Sequence, residues 1–366
     1  MTVIQPDISK VIISGMISAL ITIFLVPKIK DLGLKLGLTD QPNSRKQHKH
    51  PIVRIGGIAM VTGFLAAIGI SLALGLLSFS DSININLIST ILIAGICFFL
   101  IGLFDDYSGL SPFTRLILQL SISTIVWYQG LKISAIDLSI ANQNLSPIGL
   151  PDFVSLLITI IWITGVINAI NWLDGLDGLA GGVTFIAAIS FGIIAFERNA
   201  LELSLLAVSL AGCSVGFLKY NLKPGNILMG DCGSYFLGFN LGAISILSFP
   251  SYNLSSIVDT SSFNILICII VLGIPIVDMF AVITSRLIHR ISPFHPDRRH
   301  LHHRLLKVGL KQREVVILLY SSSIFLTSIA LFILQLDNSL IYLIISFSLF
   351  LLTAIKSISI IHSRNG

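Results

Sequence analysis

Long apolar runs recur along the whole chain and constrain its fold more than any other feature. Each has roughly 18 to 25 residues, enough to cross a ~30 Å hydrocarbon layer as one helix. Apolar residues make up 54% of the 366 residues and charged residues only 11%, which argues against a soluble domain. We predict an all-α membrane protein, one domain over residues 1–366, with eleven transmembrane helices. The predicted spans are 10–28, 54–78, 86–104, 113–130, 153–170, 179–196, 201–218, 232–249, 262–287, 315–334 and 338–358.

Lysine and arginine lie almost entirely in alternate connections between these spans. Loops rich in positive charge stay in the cytoplasm, so the connections near 28–54, 219–223 and 290–313 are predicted to be cytosolic. The other connections hold only Lys10, Lys132 and Arg198. This distribution places the N-terminus outside and the C-terminus in the cytosol, which requires an odd number of spans. Basic loops beside anionic lipid explain the net charge of +5, so no nucleic-acid partner is implied.

The first apolar run is predicted to stay in the protein rather than be cleaved as a signal peptide. Its positive charges follow the run instead of preceding it, and no small-residue cleavage site comes after it. The four cysteines have neither disulfide-framework nor metal-site spacing, so we interpret them as packing thiols.

Five carboxylates are predicted at cytosolic helix ends in a chain with few charges. They are Asp105, Asp106, Asp174, Asp177 and Asp231. A single aspartate is equally well explained as a helix N-cap, but five on one face, among glycines, indicate a functional site. Converging carboxylates repel one another, so either some stay protonated or a divalent cation neutralises them. Oxygen ligands favour Mg²⁺ or Mn²⁺ over zinc.

The segment around Asp174 has the features of a ligand-binding turn. Asp174 and Asp177 are three residues apart, as are Asn168 and Asn171, so each pair shares one side of a helix or tight turn. Glycines between and after the aspartates let the backbone approach a ligand closely. The pattern does not match a P-loop, so a P-loop NTPase is not supported.

Two basic segments rich in histidine are predicted on the same side. The first, DQPNSRKQHKHPIVRIGG, contains Arg45, Lys46, His48 and Arg54. The second, SPFHPDRRHLHHRL, contains His300, His302 and His303. Membrane topology needs charge, and a largely neutral imidazole serves that purpose poorly. A zinc site made of histidines alone is one alternative, but phosphate binding or acid–base chemistry near neutral pH fits better. One face of the membrane is thus predicted to carry acidic side chains that can bind a metal and basic side chains that can bind phosphate. This combination predicts phosphoryl transfer.

Asp278 lies inside the predicted span 262–287, where an ionisable group is costly and usually faces the bundle interior. Arg286 follows eight residues later, nearly in line on the helix, and is expected to be linked to Asp278 through an intermediate partner. We interpret Asp278 as a residue that supports the structure or the site.

Four sequence blocks carry a resemblance that covers almost the whole chain. In order they are DQPNSRKQHKHPIVRIGG, GLFDDYSGLSP, NAINWLDGLDGLAGG with MGDCGSYFLGF, and HPDRRHLHHRL. The chain resembles the polyprenyl-phosphate N-acetylhexosamine-1-phosphate transferases of glycosyltransferase family 4. The resemblance implies a Mg²⁺-dependent enzyme that transfers a sugar-1-phosphate from a UDP-sugar to undecaprenyl phosphate and releases UMP.

The resemblance also implies roles for individual residues. Those matched to catalysis are Asp105 and Asp106 near the acceptor phosphate, Asp174 and Asp177, and the histidines His300, His302 and His303 near the diphosphate. Those assigned to substrate binding are Asn171, Asn221, Arg45, Lys46, His48 and Arg54. The metal is expected on Asp231 and Asn171.

The spaced H-x-H-H motif resembles the N-acetylglucosamine (GlcNAc) 1-phosphate branch. The branch using UDP-MurNAc-pentapeptide tends to have three consecutive histidines, and that donor is the alternative. We expect direct attack by the lipid phosphate, although a covalent aspartyl intermediate stays open. The resemblance implies a bacterial plasma-membrane enzyme with its active site facing the cytoplasm, which begins a cell-wall polysaccharide or lipopolysaccharide. Whether it forms a homodimer is left open.

Two other classes are less consistent with the sequence. CDP-alcohol phosphatidyltransferases carry a dense DGxxAR signature, which is absent here. A secondary transporter would place its ionisable groups near the bilayer midplane, often with an internal repeat, whereas these groups lie at one face.

Overall fold

The computed structural model describes residues 7–40, 51–77, 85–138, 146–223, 226–248, 262–290 and 299–365. Within these ranges the chain forms thirteen α-helices and five two-residue strands. The helices are α1 Ile8–Lys35, α2 Gly57–Ala73, α3 Ile85–Ser108, α4 Pro112–Tyr128, α5 Asp152–Leu173, α6 Leu179–Glu197, α7 Leu201–Asn221, α8 Gly230–Leu247, α9 Ile265–Val271, α10 Gly273–Ile288, α11 Leu301–Lys307, α12 Gln312–Ile333 and α13 Ser339–Asn365. The strands are β1 Thr39–Asp40, β2 Ile52–Val53, β3 Ala135–Ile136, β4 Ile148–Gly149 and β5 Ser262–Phe263.

Every predicted span corresponds to helix, with one difference in shape. The span predicted at 262–287 is divided between α9 and α10, which are bent by 88° at the break. Gly273 and Pro275 explain the break, because proline lacks the N–H that would continue the helix and glycine adapts to the turn. Of the helices described, seven are long and apolar enough to cross a membrane, or eight if the bent pair counts as one. The chain is therefore a helical integral membrane protein, while eleven crossings and the predicted orientation stay predictions.

Helix α8 lies at the centre of the bundle. All its residues except Asp231 are buried, and it packs against α3 and α5. Glycines make this packing unusually close. A Cβ at Gly102 of α3 would overlap the backbone of Asp231 and Cys232. The close packing brings the C-terminal end of α3 against the N-terminal end of α8.

In the described part of the chain, two small sheets connect the helices. In the first, β1 pairs with β2 in antiparallel register just before α2. In the second, β3 lies between β4, which is antiparallel to it, and β5, which is parallel. Because β3 follows α4, β4 precedes α5 and β5 precedes α9, this sheet joins three helices at the end opposite to Asp105 and Asn171.

Candidate active site

Asp231, in the first turn of α8, lies at the centre of a polar cluster. Arg54 Nη2 is 2.8 Å from Asp231 Oδ2, and Asn171 Nδ2 donates to Asp231 Oδ1 at 2.7 Å. The Asn171 amide also lies 2.9 Å from Ser234 Oγ. The Asp231 side chain is 14% exposed, so it remains open to a ligand. Residues that are far apart in the sequence thus meet at one point.

Asp106 holds this first turn in place. Its carboxylate accepts hydrogen bonds from the backbone N–H groups of Asp231 at 2.9 Å and Cys232 at 3.0 Å. Arg54 Nε lies 2.9 Å from the same carboxylate, whose side chain is only 2% exposed. A carboxylate is favourable here because the first N–H groups of a helix have no partner within it. Asp106 therefore positions Asp231 and Arg54 relative to each other.

The turn into α8 depends on a glycine. Gly230 has a φ of +74°, and a Cβ there would overlap both the Arg54 carbonyl oxygen and the Asp106 carboxylate. Any other residue would be strained and would push these groups apart. The Met229–Gly230–Asp231 sequence is thus tied to the geometry of the cluster.

Asp105 points away from this cluster, towards α4. Its carboxylate accepts from Arg115 Nη1 at 2.9 Å and from the Leu110 backbone N–H at 2.8 Å. Tyr235 OH lies 3.3 Å from the same group. Arg115 was not among the residues predicted from the sequence. Its signal was a charged residue inside the apolar span predicted at 113–130, the same signal that identified Asp278.

Asp174 and Asp177 lie in the turn between α5 and α6. Burial and the nearby charge of Asp231 raise the pKa of Asp174 to about 8. Both causes disfavour the charged carboxylate, so a neighbouring cation would favour ionisation of Asp174. The turn is therefore an environment in which a metal ion or a cationic group relieves electrostatic repulsion.

Asn221 holds this turn from behind. Its Oδ1 accepts from the Gly178 N–H at 2.7 Å, and its Nδ2 donates to the Ile227 carbonyl at 2.8 Å. The side chain is buried, and these two bonds join the turn to the segment that leads into α8. The structure thus gives Asn221 a supporting role, and its contact with a nucleotide stays a prediction.

His300 is held by groups on both sides of its ring. Nδ1 lies 2.9 Å from Asp278 Oδ2, and the ring edge meets Trp172 with centroids 5.8 Å apart. The Arg286 guanidinium lies 5.0 Å from the Trp172 ring. The expected link between Asp278 and Arg286 therefore runs through His300 and then Trp172. Trp172 was not predicted, because a tryptophan at a helix end has no distinctive sequence signal.

His302 and His303 lie in the first turn of the short helix α11. His302 is buried, and a Cβ at Gly175 would overlap its ring. Burial and the adjacent rings of His303 and His300 lower the pKa of His302 to about 3, so the imidazole is neutral. Its ring nitrogens have no hydrogen-bond partner among the described residues. The His303 ring is 4.3 Å from that of His302, and His302 lies against Gly175 in the Asp174–Gly178 turn.

An apolar groove of about 870 Å³ leads from the bundle surface to this cluster. It lies between α4, α5, α9 and α10, with walls that include Ile161, Trp162, Ile269, Met279 and Phe280. Its polar end is formed by Arg115, Asn171, Arg286 and His300. The sequence did not identify these apolar residues, because each is also an ordinary lipid-facing or core residue.

Three predicted binding residues, Arg45, Lys46 and His48, lie in 41–50, outside the described residues. In the parts of the chain that the structure describes, no three His, Cys, Asp or Glu side chains are arranged to hold a metal by themselves. Mg²⁺ is usually held by one or two carboxylates together with substrate phosphates. Asp231 together with the Asn171 amide fits that mode of binding. Asp174 lies nearby, and its surroundings disfavour its charged form unless a cation is present.

Comparisons with known proteins show which family the chain resembles. The model of glycosyl transferase family 4 matches residues 87–249, which include the aspartate pair, the Asp174 turn and Asp231. A probable undecaprenyl-phosphate N-acetylglucosaminyl 1-phosphate transferase of Bacillus subtilis (strain 168) is 30% identical over 311 residues, 85% of this chain and 81% of that protein.

Two further relatives extend this similarity. The decaprenyl-phosphate N-acetylglucosaminephosphotransferase of Mycobacterium tuberculosis (strain ATCC 25618 / H37Rv) is 30% identical, over 84% of this chain and 78% of its own length. The undecaprenyl-phosphate alpha-N-acetylglucosaminyl 1-phosphate transferase of Pasteurella multocida (strain Pm70) is 30% identical, over 80% of this chain and 77% of its own length. The chain belongs to glycosyl transferase family 4.

Proposed function

We propose that the protein transfers GlcNAc 1-phosphate from UDP-GlcNAc to undecaprenyl phosphate and releases UMP. The observation that carries the proposal is the groove, whose apolar walls end beside the carboxylate cluster. A long isoprenoid phosphate needs an apolar channel for its chain and hydrogen-bond donors for its charged end. The relatives named above act on undecaprenyl or decaprenyl phosphate and an N-acetylglucosamine donor, which supports the same substrates here.

Two arginines at the polar end of the groove suit the acceptor phosphate. Arg115 is held by Asp105 and Arg286 by the face of Trp172, so both guanidinium groups are oriented before the lipid binds. A guanidinium presents several N–H donors in a plane that matches phosphate oxygens. These residues would place the lipid phosphate next to Asn171.

The donor diphosphate is proposed to bind between Asp231 and the Asp174–Gly178 turn. Asp231 and Asn171 would hold Mg²⁺, or Mn²⁺, together with the diphosphate oxygens. When bound, the metal would neutralise charge on the diphosphate. Arg54 already lies between Asp106 and Asp231, and its 37% exposure lets it turn towards the incoming phosphates.

The geometry favours direct transfer. An oxygen of the lipid phosphate attacks the β-phosphorus, the bond from that phosphorus to the bridging oxygen breaks, and UMP leaves. Positioning and charge neutralisation supply most of the catalysis in such reactions. A covalent intermediate on Asp106 is disfavoured, because its carboxylate is engaged by backbone N–H groups and Arg54. Asp105 is similarly engaged by Arg115.

The site is proposed to face the cytoplasm of a bacterial plasma membrane. Lys28, Lys30 and Lys35 lie near the C-terminal end of α1, and Lys30 Nζ is 2.5 Å from Asn226 Oδ1, four residues before α8 begins. Positive charge thus lies at the end of the bundle that carries Asp231, as expected for a cytoplasmic face. UDP-sugars are also made in the cytosol.

A transfer assay on detergent-solubilised protein tests the proposal. Undecaprenyl phosphate is mixed with UDP-GlcNAc, or separately with UDP-MurNAc-pentapeptide, with and without Mg²⁺, and both UMP and the lipid product are measured. We expect Mg²⁺-dependent turnover with UDP-GlcNAc, loss in Asp231→Asn, and normal turnover in the matched exposed control Asp152→Asn. Turnover only with the pentapeptide would overturn the donor assignment, and no UMP from either donor would overturn the transferase.

A further inference from the structure

Asp278 and His300 form a buried pair that joins α10 to the start of α11. Asp278 Oδ2 is 2.9 Å from His300 Nδ1, and Asp278 Oδ1 accepts from the Leu301 backbone N–H at 2.5 Å. The Asp278 side chain is 1% exposed and that of His300 11%. One carboxylate therefore orients the imidazole and also fixes the backbone next to it.

The pair makes the two ring nitrogens of His300 unequal. An ionised carboxylate only accepts hydrogen bonds, so Nδ1 must carry a proton to bond with Asp278. The second nitrogen, Nε2, is left for the groove, because His300 forms part of the groove's polar end. Nδ1 is therefore engaged by Asp278, and Nε2 is the nitrogen available to a ligand in the groove.

The surroundings restrict the ring further. Trp172 contacts it edge-on, and the His302 ring is nearly parallel to it, at 12° with centroids 5.6 Å apart. These contacts, together with Asp278, limit both rotation and displacement of the imidazole. A side chain with a fixed tautomer and orientation, facing a polar cavity end, suits proton exchange or hydrogen bonding with a phosphate oxygen.

We propose that Asp278 is a positioning residue that keeps His300 in the Nδ1–H form with Nε2 turned to a phosphate in the groove. The inference rests on the proposed function for the identity of that phosphate, which is either the lipid phosphate or the donor diphosphate. Asp278 itself contacts neither, since it is buried behind the imidazole. Its effect on transfer therefore passes through His300.

The substitution Asp278→Asn separates this role from simple packing. Asparagine has nearly the same shape, and its carbonyl oxygen can still accept from the Leu301 N–H. Its NH₂ group would then face Nδ1 and could only donate, so the neutral ring must change to the Nε2–H form. Replacing the hydrogen-bond partner of a metal-bound histidine typically costs about 10- to 100-fold in activity, and we expect a loss of similar size in kcat/KM here. Asp152→Asn, an exposed aspartate at the other end of the bundle, is the matched control and should behave like the wild type.

The tautomer itself can be measured without substrate. Protein labelled with ¹⁵N-histidine is studied by NMR in detergent, and the His300 signals are assigned by their loss in His300→Gln. We expect a protonated Nδ1 in the wild type and a protonated Nε2 in Asp278→Asn. An Nε2–H ring in the wild type would overturn the proposal even if the variant did not fold. Because no substrate is present, this result is independent of whether the wild type releases UMP.

A double-mutant cycle provides the second test. If Asp278 acts through His300, adding Asp278→Asn to His300→Gln changes the transfer rate by less than about 2-fold, because the two residues act as one unit. If the activity losses of the two single variants multiply in the double variant, Asp278 acts separately from His300 and the proposal is overturned. Measuring KM for each substrate then identifies the phosphate that His300 contacts. The KM for undecaprenyl phosphate rises if Nε2 contacts the acceptor, and the KM for UDP-GlcNAc rises if it contacts the donor.

Discussion

Replacing Asp106 by asparagine tests whether this residue holds α8 in place. Its Oδ1 accepts from the Asp231 N–H and its Oδ2 from the Cys232 N–H, while Arg54 Nε binds the same carboxylate. Asparagine keeps one acceptor oxygen, so its NH₂ group must face one of the two backbone donors. An unsatisfied buried donor costs about 1–3 kcal/mol. The bond to Arg54 also loses its charge, which costs on the order of 1 kcal/mol.

The expected destabilisation is therefore about 2–4 kcal/mol. This should lower the midpoint of thermal unfolding by roughly 3–5 °C, measured by intrinsic fluorescence of protein in detergent, with Asp152→Asn as the control. Transfer activity should fall as well, because Asp231 moves with the helix turn. An unchanged midpoint with activity abolished would refute the structural reasoning, since Asp106 would then act only in the chemistry.

Three further predictions concern the turn and the groove. Without substrate and metal, thermal stability should fall as the pH rises from about 4 to 8. The folded protein keeps Asp174 protonated up to a pKa of about 8, whereas in the unfolded chain this aspartate ionises near pH 4. Asp174→Asn should make the unfolding midpoint depend less steeply on pH, and an unchanged dependence would contradict the assignment. Gly175→Ala places a methyl group against His302 and should cost about 1–3 kcal/mol and slow transfer. Gly69→Ala is the control, because its Cβ would meet open space. Equal losses of stability and rate in the two variants would argue against an overlap between the Gly175→Ala methyl group and His302. Gly165→Leu narrows the groove and should raise KM for undecaprenyl phosphate about 10-fold without changing that for UDP-GlcNAc; equal changes would argue against acceptor binding there.

The helices could be predicted because each apolar run has to satisfy its backbone hydrogen bonds internally when it lies in lipid. The bend between α9 and α10 was missed, although Gly273 and Pro275 were visible in the sequence. Hydropathy averages over a window and does not register a local break. Because of this bend, α9 and α10 form a wall of the groove that ends beside His300. That arrangement could not have been deduced from composition.

The sequence identified several residues that the structure brings together, but it did not show how they are paired. Asp105 and Asp106 are adjacent and look equivalent in the sequence, yet a helix turns by about 100° per residue. One carboxylate therefore faces α4 and Arg115, and the other faces α8. The pairing of Asp278 with His300 spans 22 residues and depends on how α10 packs, which no local pattern encodes.

The three-stranded sheet of β3, β4 and β5 has a consequence for how the groove could diverge during evolution. Its hydrogen bonds join main-chain atoms, which every residue type except proline can supply. The spacing of α4, α5 and α9 at that end is thus largely independent of side-chain identity. Mutations can accumulate along the groove walls while the distance between the walls is retained. If the groove binds the isoprenoid as proposed, such mutations would adjust the preference among isoprenoids of different length.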